Sequence, residues 1–283
     1  MPNYLCSLIP HVSRPDTSRI LALRDFTFHV LLFVGAIVHP QGVASSEIVL
    51  IPAGSFQMGS DDGRPNETPV HQVSLEAFYI DKYETTNAEY RAFVLSNPRW
   101  QKSAVRARDY LRHWVGNDFP AGMDRYPVTY VTHEAAQAYC EWRGKRLPTE
   151  VEWEKAARGG QSGMLYPWGN QVDPNAANYD SRDIRSGGLK NMQRYLKPVD
   201  HFPPNGYTLY NMGGNAAEWC ADRYLPRYRK DDVNQRIPPT KGPFVVRGGS
   251  WFDPIFDLRC AARAYALSGA YYHIGFRCAK SKN

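Results

Sequence analysis

The residues of this chain with the most versatile chemistry are its cysteines and histidines. Cys6 lies in an N-terminal leader, and the other four cysteines are Cys140, Cys220, Cys260 and Cys278. No two of them form a C-x-x-C pair, and the later histidines are never three or four residues apart. A zinc site built from a local Cys/His motif is therefore not indicated. An even number of cysteines in an exported chain favours disulfides, and the spacing leaves all three pairings open.

The first 44 residues have the pattern of a secretory signal. Three arginines precede a nine-residue apolar stretch (30–38), and small residues follow up to Ala44. This pattern predicts a signal peptide over residues 1–44 and one domain over residues 45–283. A buried strand or a membrane anchor is the alternative, but nine apolar residues are too few to span a bilayer. We therefore expect a periplasmic or secreted protein with no stable membrane insertion after signal removal.

The composition is that of a folded domain rich in loops. Hydrophobic residues make up 43% and charged residues 22% of the chain, which supplies a core and excludes a disordered tail. The 22 glycines and 21 prolines disfavour a helical bundle or a coiled coil. The formal charge of +6 is spread along the chain with alternating signs, so no nucleic-acid partner is predicted.

Three helices have recognisable N-terminal caps. Thr86 with Glu89 and Thr149 with Glu152 form the capping-box pattern, and Thr132 precedes the remaining helix. The helices are expected to run from Thr86 to about residue 94, over 134–143, and from Thr149 to the glycine pair at 159–160. Alternating apolar residues between turn residues predict strands at 48–59, 71–80, 244–247, 258–262 and 275–279.

Seven sequence blocks occur in an order that points to a known family. They are IPAGSFQMGS (51–60), GKRLPTEVEWEKAARGG (144–160), YPWGN (166–170), PPNGYTLYNMGGNAAEW (203–219), VRGGSW (246–251), RCAAR (259–263) and GFRC (275–278). Together they resemble the sulfatase-modifying-factor family, whose best-known member is the formylglycine-generating enzyme, over about residues 48–280. The resemblance implies an α+β domain with a C-type-lectin-like fold, little regular secondary structure, and rigidity from calcium and disulfides.

The resemblance also implies structural calcium. The residues that correspond to the family's second calcium loop are Asn211, Gly214, Ala216 and Glu218. The first and last would supply side-chain oxygens and the other two would supply backbone carbonyls. A surface salt bridge is the alternative role for Glu218. The family's first calcium site is matched in part, by Asn178, Tyr179 and Asn191, and an amide in place of a carboxylate should weaken it.

The two reactive cysteines of the formylglycine-generating enzyme are missing. In that enzyme they lie between the GGS and RCAAR blocks, bind copper and activate oxygen. Here residues 251–258 contain no cysteine, and Asp253 stands at the position of the first thiol. A carboxylate does not perform thiolate–copper chemistry, so formylglycine formation by that route is excluded. The resemblance places the altered site in a groove lined by Ser250, Trp251, Asp253, Arg263 and His273.

The disulfide pattern changes with the site. The resemblance implies a bridge between Cys140 and Cys278, whereas the family partner of Cys260 falls at Ala157, which has no sulfur. Cys220 and Cys260 are then left over. We expect a compensating bridge between them, and a reactive thiol pair is the alternative.

Two kinds of function fit these residues. The first is an oxidoreductase or tailoring enzyme of the cysteine-free branch, of the pyoverdine-maturation type, acting on a peptide or peptide-derived metabolite. Asp253, His273 and His201 would suit ferrous iron, but the sequence leaves open whether iron or copper is bound. The second is a non-catalytic, calcium-stabilised lectin-like module that binds a peptide, a glycan or a partner enzyme. A hydrolase ranks below both, because Ser250 has no evident base in the sequence.

Overall fold

The computed structural model describes residues 47–180, 195–228 and 241–282. The expected signal peptide (1–44) and Asn191 lie outside these ranges. The helices are α1 (Asn87–Ser96), α2 (His133–Trp142) and α3 (Glu150–Ala157). The strands are β1 (Ile48–Ile51), β2 (Gly54–Met58), β3 (His71–Leu75), β4 (Phe78–Asp81), β5 (Ala217–Arg223), β6 (Phe244–Arg247), β7 (Arg263–Ala266), β8 (Ile274–Gly275) and β9 (Ala279–Ser281). This is the expected α+β class, with short elements and long connections.

The strands form three small sheets. β1, β4 and β9 make one antiparallel sheet, and β2 pairs with β3 in another. The third sheet has the order β7-β6-β5-β8, in which β5 and β8 run parallel and the other pairs run antiparallel. In this sheet Arg263 of β7 lies opposite Arg247 of β6. The sheet therefore positions Arg263, one of the residues expected to line the groove.

All three predicted helices are present. Thr86 and Thr149 form complete capping boxes with Glu89 and Glu152, and the Thr132 side chain accepts a hydrogen bond from a backbone N–H of α2. These caps satisfy N–H groups that the helix itself leaves without partners. The local pattern was therefore sufficient to place each helix start within about a residue.

Four of the five predicted strand segments contain strand residues, but only 244–247 has the predicted limits, and 71–80 divides between β3 and β4 of different sheets. The segment 48–59 is two strands, because the chain leaves the first sheet after Ile51 and enters the second at Gly54. The predicted strand at 258–262 is wrong: a short 3-10 helix at Ile255–Leu258 follows Pro254, and β7 begins only at Arg263. The segment 275–279 divides between β8 and β9, which lie in different sheets. β5 was not among the predicted strands.

The core contains two large groups of buried side chains. One packs α1 and α2 against β5 and β6 through aromatic residues such as Tyr90, Phe93 and Trp219. Within it, Cys140 of α2 is bonded to Cys278, with their Cα atoms 5.6 Å apart, so the predicted disulfide is confirmed. The other group packs α3 against the first and third sheets.

The predicted bridge between Cys220 and Cys260 is wrong. Both are free, and both lie fully buried in the apolar group that packs around α3. Burial raises the pKa of the Cys260 thiol to about 12 and raises the pKa of the Cys220 thiol well above its usual value. Thiols in such surroundings stay protonated, so the alternative of a reactive thiol pair is also disfavoured.

Candidate functional site

A groove opens where the third sheet meets the loop after β6. It encloses about 420 Å³ of space, part of which is open solvent. Its lining residues are Arg64, Ala217, Val246, Gly248, Gly249, Asp253, Asp257, Ala262, Arg263, Ala264 and His273. Six of these lining residues are glycine, alanine or valine, which have small side chains. The other five are arginine, aspartate or histidine and supply the polar groups of the groove.

Two glycines give the loop its path. Gly248 and Gly249 have φ angles of 90° and 63°, in the left-handed region that favours glycine. A Cβ on Gly248 would lie 3.0 Å from the Trp153 side chain, and one on Gly249 would lie 2.9 Å from the carbonyl oxygen of Asp257. Glycine at both positions therefore allows the chain to lie this close to Trp153 and Asp257.

The structure brings three of the five proposed site residues into the groove: Asp253, Arg263 and His273. Ser250 is fully buried beside them, and its Oγ donates a hydrogen bond to Asp253 Oδ2 at 2.6 Å. Trp251 is also fully buried and stacks on Tyr195, with ring centroids 5.2 Å apart. Ser250 thus orients Asp253 from behind, whereas Trp251 packs in the core beneath the loop.

His273 is held as a neutral imidazole. Burial lowers its pKa, and the nearby Asp253 carboxylate opposes that shift. Among the described residues, its Nδ1 atom is buried without a hydrogen-bond partner. A histidine that lines a groove together with a carboxylate is a candidate proton acceptor or donor for a bound molecule.

Arg263 is held by an ion pair. Its Nε and Nη2 donate to the two Glu150 oxygens at 2.6 and 2.8 Å, and Arg247 donates to the same carboxylate at 2.9 Å. Arg247 also donates to Glu154, which in turn accepts from Arg158. This buried network was not predicted from the sequence. The available signal was the four-residue spacing of Glu150 and Glu154, which places both carboxylates on one face of α3.

The outer rim carries a second ion pair that sequence reasoning also missed. Arg64 Nη1 lies 2.5 Å from Asp257 Oδ1, and the Arg64 side chain is 44% exposed. The guanidinium also lies 5.2 Å from the centre of the Phe256 ring. Arg64 and Asp257 therefore largely neutralise each other at the mouth of the groove.

The residues considered for iron do not converge. Asp253 and His273 line the groove, but His201 is exposed and is not part of its lining. Across residues 47–180, 195–228 and 241–282, no three His, Cys, Asp or Glu side chains come together as a metal site would require. The described residues therefore do not fit the three-ligand ferrous site.

The expected calcium loop matches only in part. Asn211 Nδ2 donates to Glu84 and to the Val199 carbonyl. These contacts use the amide nitrogen and leave the amide oxygen as the atom that would bind a cation. Glu218, however, accepts from Arg277 at 2.7–2.9 Å and from Trp153 Nε1 at 2.8 Å. These contacts occupy about all the acceptor positions of a carboxylate. Calcium at this loop would share Glu218 with a guanidinium, and the assignment stays a prediction.

The first calcium site is described only through two of its residues. Asn178 Nδ2 donates to the Tyr195 carbonyl at 2.7 Å and approaches Asn215 Oδ1 at 3.3 Å, whereas Tyr179 packs near Leu258. Because Asn191 lies outside the described ranges, this site also stays a prediction.

None of the helices among the described residues has the length and hydropathy that a membrane-spanning helix requires.

Known proteins resemble this chain in sequence and in fold. The formylglycine-generating enzyme of Bos taurus is 35% identical over 280 residues, which cover 83% of this chain and 74% of that protein. The inactive C-alpha-formylglycine-generating enzyme 2 of Bos taurus is 35% identical over 274 residues, covering 82% of this chain and 87% of that protein. Among solved structures, PvdO from Pseudomonas aeruginosa superposes with a TM-score of 0.67 at 27% identity, over 83% of this chain and 94% of that chain.

The family model for the sulfatase-modifying factor enzyme 1-like domain matches residues 36–282. The fold is C-type-lectin-like, as the resemblance implied. This chain belongs to the sulfatase-modifying factor enzyme 1-like (FGE-sulfatase) domain family.

Proposed function

We propose that this protein is an exported tailoring enzyme that modifies a peptide or peptide-derived metabolite without thiol–copper chemistry. The observation that carries the proposal is the groove itself, in which Asp253 and His273 stand beside each other where the family's catalytic thiols are missing. The similarity to formylglycine-generating enzymes supports an oxidation as the reaction class.

The groove residues have defined parts in this proposal. The neutral His273 ring accepts a proton from the bound substrate or returns one to it. Asp253, held by Ser250 at 2.6 Å, orients the substrate through its carboxylate. Arg263 keeps the floor of the groove in place through Glu150 rather than acting on the substrate. No step is assigned to iron or copper, because the described residues do not form a site for either.

Export is supported by two features. The Cys140–Cys278 disulfide is of a kind that persists in oxidising compartments such as the periplasm or the extracellular space. The leader pattern over residues 1–44 agrees with this location.

A non-catalytic binding module is the second candidate. It is favoured by the similarity to a protein that carries the word inactive in its name, which shows that domains of this family exist outside formylglycine formation. In that case the groove would bind a periplasmic partner, with calcium as a structural ion.

Product analysis distinguishes these candidates. The full chain, exported in a bacterial host and purified without chelators or a histidine tag, is incubated in air with a peptide extract and analysed by mass spectrometry. We expect species that lose two hydrogens, which pass to molecular oxygen to give hydrogen peroxide, with the wild type but not with His273→Ala or Asp253→Ala. His201→Ala is the matched control, because His201 is exposed and outside the groove.

Products that are the same for all four proteins, or absent from all of them while a protein partner is retained, would refute the enzyme and favour the binding module. Elemental analysis of the same samples tests the metal question. Iron or copper near one equivalent, lost in Asp253→Ala, would contradict the metal-independent form of the proposal.

A further inference from the structure

The charges around the groove are paired with one exception. Arg263 is bound by Glu150, and Arg64 is paired with Asp257. Burial lowers the pKa of His273, which favours its uncharged form, although the Asp253 carboxylate opposes this shift. Within residues 47–180, 195–228 and 241–282, Asp253 has a hydroxyl partner, Ser250, and no arginine or lysine forms an ion pair with it. Among the described residues of the groove lining, Asp253 is therefore the charged residue without an ion-pair partner, and its carboxylate is available to a ligand.

We propose that the groove selects a substrate with a protonated nitrogen group, an ammonium or an amidinium, and places that group against Asp253. This inference rests on the proposed function, because it takes the groove as the substrate site. Asp253 accepts an N–H from the cation, and His273 lines the same groove as a second polar group. An anionic substrate is disfavoured, since both arginines of the lining already have carboxylate partners.

The shape of the groove agrees with a flat or slender group. Apart from Val246, its apolar lining residues are Gly248, Gly249 and the alanines at 217, 262 and 264, none of which has a side chain larger than a methyl group. The apolar walls lower the local polarity, which strengthens a carboxylate–cation contact relative to the same contact in water.

Three isosteric probes test the charge preference directly. Benzamidine, benzamide and benzoate share one flat ring and differ in carrying a positive, neutral or negative group. Their dissociation constants for the full chain are measured by ligand-observed NMR. We expect benzamidine to bind tightest, and we expect Asp253→Asn to weaken it at least about tenfold, because a charge-assisted hydrogen bond is lost.

Asp257→Asn is the matched control variant. It removes the same charge from the same groove, but from a carboxylate that already has an ion-pair partner, since Asp257 Oδ1 lies 2.5 Å from Arg64 Nη1. We expect it to change benzamidine affinity only a few-fold, since exposed ion pairs contribute little. Thermal denaturation of both variants verifies that they are folded.

Each other outcome has a distinct meaning. If Asp253→Asn binds benzamidine as the wild type does, or if Asp257→Asn weakens it equally, the assignment to Asp253 is wrong. If benzamide or benzoate binds tightest and His273→Ala weakens that binding, the cation preference fails while the groove keeps its role. If no probe binds in a manner that depends on Asp253 or His273, the groove fails as the substrate site and the proposed function fails with it.

Discussion

Replacing Glu150 by glutamine should destabilise the protein more than almost any other conservative change. The Glu150 carboxylate accepts from Arg263 at 2.6 and 2.8 Å and from Arg247 at 2.9 Å, and the three side chains are at most 3% exposed. Glutamine keeps the size but removes the charge, and its amide nitrogen faces guanidinium donors. The buried guanidinium groups of Arg247 and Arg263 then lose the negative charge that both of them contact.

The expected loss follows from the burial of the pair. Removing one partner of a buried ion pair costs about 3–5 kcal/mol, because the remaining charge stays desolvated without compensation. A domain of this kind is stable by about 5–15 kcal/mol, so the variant should be folded but much less stable. The loss of favourable charge at the start of α3 adds less than about 1 kcal/mol.

Urea denaturation of the two proteins measures this difference. Glu141→Gln on α2 is the matched control, because Glu141 is exposed and contacts the exposed Gln137. The control should stay within about 0.5 kcal/mol of the wild type. A Glu150→Gln protein that also stays within that margin would refute the buried network beneath the groove.

Three further predictions concern pH, the disulfide and calcium. Burial lowers the pKa of His133 to about 4, so the unfolded chain binds an extra proton below about pH 6.5. The free energy of unfolding should therefore fall by up to about 3 kcal/mol between pH 6.5 and pH 4, and the fall should be smaller in His133→Gln when both are measured in urea. Replacing Cys140 and Cys278 by serine should lower stability by about 2–5 kcal/mol, and an unchanged midpoint would contradict the bridge. Calcium should raise the melting temperature of the wild type but not of Asn211→Ala, and a chelator without effect would exclude the calcium loop.

Local sequence signals account for the elements that could be predicted. The threonine caps at 86, 132 and 149 act within one helical turn, so the sequence alone identifies α1, α2 and α3. The order of the seven blocks identified the family, and the family implied the Cys140–Cys278 pairing across 138 residues. The strand limits near 258–262 could not be derived in the same way, because β7 begins where Arg263 pairs with Arg247 of β6, a register that the residues at 258–262 do not encode.

The chemistry of the groove depends on one long-range contact and one local contact that the residue types alone did not indicate. Arg263 and Glu150 are 113 residues apart in the chain, and their ion pair changes Arg263 from a free cation into a support for the groove. Ser250 and Asp253 are three residues apart, and their contact leaves Asp253 oriented but without a cation among the described residues. The sequence could therefore name the residues of the groove but not their state of charge. Because that state decides which ligand can enter, Asp253 rather than Arg263 is the residue on which substrate recognition should depend.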